Sequence, residues 1–164
     1  MKNKIFKFTY LLFFSLLCLN ANSQEQFSFD VTQIDIIEKG NKFIGTKRGI
    51  ITSNDGIVIE ADQFEYQKKL NILNASGNIK IIDRINNYEI YSDNITYDKN
   101  NNFLFTDKNS KALDFVNNIE ISADIFEYSI SKNIITAKKN AAIENKVENY
   151  KVESDEITYF RNKN

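Results

Sequence analysis

The sequence predicts an all-β chain built from repeats, and three observations predict it. Asp62, Asp93, Asp124 and Asp155 are each 31 residues apart, and so are Tyr66, Tyr97, Tyr128 and Tyr159. A gapless period of this length marks stacked units, each burying an apolar face against its neighbours. Within each unit apolar residues alternate with polar ones, which is strand periodicity. No helical periodicity of useful length occurs beyond the amino-terminal segment.

The elements follow in chain order. Residues 1–23 read as a signal peptide: Lys2, Lys4 and Lys7 form a basic start, and Phe8 to Leu19 is a 12-residue apolar run. Ala21-Asn22-Ser23 then offers small residues for cleavage before Gln24. The run is short for a bilayer, which needs about 20 residues. An uncleaved anchor is the competing reading. Cys18 is the only cysteine, and Leu16-Leu17 before it do not suit a lipidation site. Cleavage would leave an exported chain with no cysteine, held by burial and hydrogen bonds alone.

Residues 24–164 are expected to form one domain of about four repeats. The first unit is degenerate and reads as a cap. Phe27, Phe29 and Val31 alternate in one phase, Ile34 and Ile36 in the other, and Gly49-Ile50-Ile51 resembles the second strand of a unit. Clearer units then begin with Ile57, Ile59 and Ala61, and the same phase recurs at Tyr88, Ile90 and Ser92, at Ile119, Ile121 and Ala123, and at Tyr150, Val152 and Ser154. Past each aspartate the apolar positions are Phe64 and Tyr66, Ile95 and Tyr97, Phe126 and Tyr128, Ile157 and Tyr159. The phase slips at the aspartate, which a bulge or corner explains, because one extra residue re-aims a strand.

Polar turns follow at 67–69, 98–102 and 129–133, and then a second strand. Its apolar positions are Leu73, Ala75, Gly77, Ile79 and Ile81, then Leu104, Thr106, Ala112 and Leu113, then Ile135, Ala137, Ala141 and Ile143. Asn78, Asn109 and Asn140 hold one register. Phe-Glu-Tyr at 64–66 and 126–128, against Ile-Thr-Tyr at 95–97 and 157–159, adds a 62-residue correlation. Two facing sheets, with successive units contributing differently to each, would account for it.

Composition narrows the function. Without the signal segment, 18 basic side chains face 22 acidic ones, a net charge of −4. An acidic surface argues against nucleic acid as partner. With no histidine, no thiol past residue 23 and no glycine-rich phosphate loop, the chain lacks the parts of an enzyme, and no cofactor is expected. Its wealth of Ile, Asn and Lys reads as compositional bias with little functional content.

The repeated residues are the candidate sites. The aspartate row reads either as a ladder of cation sites or as corner residues whose carboxylates accept backbone N–H bonds. The absence of flanking acidic ligands favours the corner, so no metal is expected. The tyrosine row reads as a stacked core row or as a ligand-stacking surface. The inner apolar surface comprises Ile57, Ile59, Phe64, Ile90, Ile95, Ile119, Ile121, Phe126, Val152 and Ile157. Tightly packed, it is a core; splayed open, it is a trough for acyl chains.

Ile59-Glu-Ala-Asp-Gln-Phe-Glu-Tyr66, followed by Leu73-Asn-Ala-Ser-Gly-Asn-Ile79, resembles the repeat of the OstA-like, LptA-type domain of lipopolysaccharide-transport proteins. The resemblance covers about residues 57–160. Later units keep the Asp–Tyr half but carry Lys108-Asn109 and Lys139-Asn140 where the glycine would stand. The resemblance implies a twisted antiparallel β-jellyroll with an open seam, located in the periplasm. It implies lipopolysaccharide as ligand, with acyl chains in the groove just named. It also implies edge-strand joints with other jellyroll domains, at an inner-membrane anchor and an outer-membrane translocon, or head to tail between copies. The strand from Tyr150 to Tyr159 is the candidate edge. The chain lacks the translocon's large barrel and its cysteines, so a free periplasmic bridge is the expectation. A truncated amino-terminal domain of the outer-membrane assembly protein, with outer-membrane association, is an alternative. A β-solenoid scaffold or adhesin with a closed core is another.

Overall fold

The computed structural model describes residues 25–161. The segment at 1–23 expected to be a signal peptide, with Cys18, lies outside them. The elements are β1 (Phe27–Val31), β2 (Asp35–Ile37), a 3-10 turn (Glu38–Gly40), β3 (Lys42–Gly45), β4 (Gly49–Ser53), β5 (Ile57–Ala61), β6 (Gln63–Gln67), β7 (Ile72–Asp83), β8 (Tyr88–Asp98), β9 (Phe103–Asp114), β10 (Ile119–Ser129), β11 (Ile134–Asn145) and β12 (Tyr150–Phe160). All pair antiparallel in one 12-stranded sheet, which strand pairing does not close.

A line of corners folds this sheet on itself. The register slips between Ser76 and Ile79, Tyr91 and Asn94, Ala123 and Ile125, and Lys138 and Ala141. These slips lie beside the aspartate row, where the phase of alternation predicts them. At each slip the down-running strand carries two residues in the left-handed region: Gly77-Asn78, Lys108-Asn109 and Lys139-Asn140. The two-residue kink turns the strand, and the rows of kinks turn the sheet. Each long strand therefore gives its upstream part to one half-sheet and its downstream part to the other. The 62-residue correlation does not reflect units assigned to different sheets, because every full unit serves both.

The first half-sheet runs β1-β4-β5 and onward through the parts of β7 to β12 near Ile79–Asp83 and Tyr88–Ser92. The second runs β2-β3-β6 and onward through the parts near Ile72–Ser76 and Asn94–Asp98. Between them lies the core, including Ile51, Ile59, Leu73, Ile81, Ile90, Leu104, Ile121, Phe126 and Ile135, all buried. Truncating one such side chain to alanine costs about 2–5 kcal/mol. The degenerate first unit does cap the stack. Phe27 meets Tyr66 and Tyr97 edge-on at 4.8 and 5.6 Å, and Phe29 stacks on Phe43 and Phe64 at 5.6 and 5.4 Å.

One inward position departs from expectation. Leu113 faces outward and is half-exposed, while Asp114 beside it faces in and is buried. Asp83 and Asn145 occupy the same place in their strands, also buried. Each closes the turn that follows it. Asp83 Oδ1 accepts from the backbone N–H of Ile85 and Asn86, Asp114 Oδ1 from Val116 and Asn117, and Asn145 Oδ1 from Val147 and Glu148. These are Asx turns, in which a short polar side chain satisfies the backbone of the bend. The last residue of each turn is a left-handed asparagine: Asn87, Asn118 and Asn149 at one set of tips, Asn71, Asn102 and Asn133 at the other.

Candidate functional site: the inner faces and their seam

Eight of the ten predicted groove residues converge on the space between the half-sheets and are buried. They are Ile57, Ile59, Phe64, Ile90, Ile95, Ile119, Ile121 and Phe126. The other two lie on β12: Val152 is 51% exposed and Ile157 half-buried. The inner face is thus filled by the chain's own side chains along most of its length, and it emerges into solvent at β12. A small hollow opens at the capping end, against Phe27, Phe29, Phe43 and Tyr66, and larger surface hollows lie elsewhere. One of about 400 Å³ has a mixed lining, with Ile44, Phe64, Ala75 and Ile95 beside Gln63, Glu65, Asn74 and Asn94. One of about 660 Å³ sits at the last corner, against Asn140, Glu153 and Asp155.

The aspartate row stands at the corners. Asp62, Asp93 and Asp124 each accept a hydrogen bond across the fold line from an asparagine 16 residues on: Asn78 at 2.6 Å, Asn109 at 2.7 Å and Asn140 at 3.0 Å. The donors are side-chain amides rather than backbone N–H groups. Asp62 also accepts from Arg48 at 3.0 Å. The bonds from Asn78 and Arg48 hold its carboxyl below the usual carboxylate range. Asp155 lies on the exposed edge strand β12.

The tyrosine row faces inward, and its hydroxyls cross the molecule. Opposite the corners, the turn tips of the two half-sheets meet along a seam. Tyr97 donates to Asp55 Oδ2 at 2.9 Å, Tyr128 to Asp83 at 2.6 Å and Tyr159 to Asp114 at 2.8 Å. The partners are 42 to 45 residues apart in the chain, so each tyrosine reaches a turn about three strands back along the sheet. Three spacings of ~4.8 Å shear the half-sheets by about 14 Å, which is the twist of the jellyroll. Tyr66, in the capping unit, donates instead to Asn71 at 3.0 Å.

Other side chains complete the seam. Lys99 pairs with Asp55, and Arg161 pairs with Asp114 at 2.8 Å and lies over the Tyr88 ring at 4.9 Å. Asn86 donates to Tyr128 Oη at 3.0 Å, and Asn117 to Tyr159 Oη at 3.1 Å. Burial, reinforced by the neighbouring carboxylates, pushes the Tyr97 and Tyr128 hydroxyls far above the ordinary tyrosine range. Burial and the bond to Asp114 raise Tyr159 to about 12. Burial alone would raise the Asp55 carboxyl, but hydrogen bonds from Lys99, Ser53 and Tyr97 outweigh it and the net displacement is downward. Behind this row the Tyr88 hydroxyl and Asn86 Oδ1 are buried without a hydrogen-bond partner. Such a group costs about 1–3 kcal/mol.

Sequence reasoning found the aspartate and tyrosine rows but not the residues that the tyrosines hold. The signal was present: Asp83, Asp114 and Asn145 are 31 residues apart and in inward phase after Ile81, Ala112 and Ile143, and Asn86 and Asn117 share the spacing.

Comparison with solved structures finds chains of similar fold. The crystal structure of LptH from Pseudomonas aeruginosa, described as the LptA-homologous periplasmic component of the conserved lipopolysaccharide transport device, superposes with a TM-score of 0.62. The identity is 10%, over 71% of this chain and 84% of that one. The chain has the LptA jellyroll fold. No protein-family model matches it, and no curated protein does.

Proposed function

We propose that the chain is a non-enzymatic component of lipopolysaccharide transport in the periplasm, exported by cleavage of residues 1–23. Residues 24–164 form its OstA-like domain. The acyl chains of lipopolysaccharide lie between the half-sheets, against Ile57, Ile59, Phe64, Ile90, Ile95, Ile119, Ile121, Phe126, Val152 and Ile157, while the sugars remain in water. The observation that carries this reading is the continuous apolar inner face, which reaches solvent at an unpaired edge strand in a fold shared with LptH. The β12 edge receives a strand from another jellyroll domain or from a second copy, since a bare edge is a template for strand addition.

Photo-crosslinking in cells tests it, with the probe at Phe64, Ile121 or Val152 and at the outward Glu65 as control. Lipopolysaccharide adducts from the three inward positions are expected. Adducts from Glu65 alone would overturn the groove. A second reading, a closed-core scaffold, draws on the burial of eight of the ten inner residues. It requires no adduct anywhere from a folded protein.

A further inference from the structure

We infer that acyl chains pass in and out sideways, through the seam between the turn tips, and that the tyrosine–carboxylate pairs there are latches which hold it shut. The inference rests on the transport reading and names the door that reading needs. A lipid cannot reach Ile59 or Ile121 past the side chains that fill the inner face along most of its length. The corners are covalent and are tied by the Asp–Asn bonds, so they form the hinge side. At the seam, among the described residues, no backbone–backbone hydrogen bond joins the two half-sheets. What joins them is a row of side chains: Tyr97 and Lys99 on Asp55, Tyr128 and Asn86 with Asp83, and Tyr159 and Arg161 on Asp114.

Two features make this row a latch and not merely a cement. Closing it buries the Tyr88 hydroxyl and Asn86 Oδ1 without a protein hydrogen-bond partner, and opening it exposes both, so the closed state carries a built-in opposing load. The row is also graded along the stack. The next position, Asn145, is an amide that no tyrosine among the described residues bonds; its Nδ2 donates to the Asn117 carbonyl within its own half-sheet. That end of the seam is where Val152 and Tyr150 are exposed. Separation therefore starts at β12, at the edge where a partner would deliver or accept the lipid, and proceeds latch by latch toward Asp55.

The test uses the full chain carrying Cys18→Ser and purified lipopolysaccharide as the probe. Asn86→Cys with Ile130→Cys locks the seam, since the Asn86 side chain already reaches the Ile130 carbonyl at 3.5 Å. The pair is joined by oxidation or by a short bis-maleimide. Tyr128→Phe with Tyr159→Phe loosens it while keeping both rings in the core. The locked chain is expected to lose lipid binding by about tenfold or more, because its binding-competent state is removed, and to regain it when an oxidised lock is reduced. The loosened chain is expected to load severalfold faster than the native one. Native-like binding by the locked chain, or unchanged loading by the loosened one, overturns the latch and leaves lipid transport standing. A native chain that binds no lipopolysaccharide overturns both.

Discussion

Tyr159 sets a testable pH dependence at the scale of single residues. Its folded value is raised to about 12, against an ordinary value near 10. The folded state thus holds this proton more tightly than the unfolded state does. Its contribution is complete below pH ~10 and is lost as pH rises from there through about 12. Tyr97 and Tyr128 are displaced the same way and extend the loss further into alkali. Asp55 has the opposite sign: its folded value is depressed, so its contribution is present above the ordinary aspartate value and is lost as pH falls through the lower one. Denaturation followed by circular dichroism from pH 8 to 12 should show stability falling steeply in the native chain. The fall should be shallower in Tyr159→Phe and Tyr128→Phe. Parallel curves would mean that these hydroxyls do not sit where the latches place them.

The corner and the turn are the elements that shape the sheet, and asparagine builds both. Nine asparagines, from Asn71 to Asn149, occupy the left-handed region, at every full turn and every corner. Asparagine visits that region at less cost than other residues bearing a Cβ, and its amide can bond locally. The abundance of Asn that reads as compositional bias is therefore structural. The aspartate and tyrosine rows were legible in the sequence because a fixed period survives any composition, and the corner was legible because alternation slips there. The seam was not, because its partners are polar, lie 42 to 45 residues apart, and depend on a shear that no single unit contains. Nor does alternation alone say whether ten inward side chains fill the gap between two sheets or line an open one. At the corner, Asn140 does two jobs, holding a left-handed backbone and donating to Asp124. Asp124→Ala removes only the bond and should cost about 0.5–1.5 kcal/mol. Asn140→Ala removes the bond and strains the backbone, adding about 1–2 kcal/mol. Urea denaturation of the two variants checks the order; equal losses would show that the left-handed kink contributes nothing. Asn140→Gly should recover most of the difference, since glycine adopts that conformation freely.

At the scale of the whole molecule, strand parity fixes how two copies can join. Along the first half-sheet the order is β1-β4-β5-β7-β8-β9-β10-β11-β12, nine strands with every neighbour antiparallel. The second half-sheet, β2-β3-β6 and then β7 to β12, is nine strands as well. An odd count means that β12 runs in the same direction as β1 and β2. A copy added head to tail, corner over corner, therefore meets β12 with parallel strands on both halves. The matching lengths support this: β1 has five residues against Tyr150–Ser154, and the link at 32–34 lies where Asp155 turns. Parallel pairs are slightly weaker per residue than antiparallel ones, so such a joint suits a bridge that forms and parts. In a Cys18→Ser chain, corner-over-corner stacking brings Lys151 opposite Ser28, whereas an antiparallel joint would bring Lys151 opposite Asp30. Mixing Lys151→Cys with Ser28→Cys chains should give a disulfide-linked dimer, and mixing it with Asp30→Cys chains should give little. The reverse preference would show that copies join with β1 inverted against β12, a geometry in which the inner faces of successive molecules could not form one continuous path.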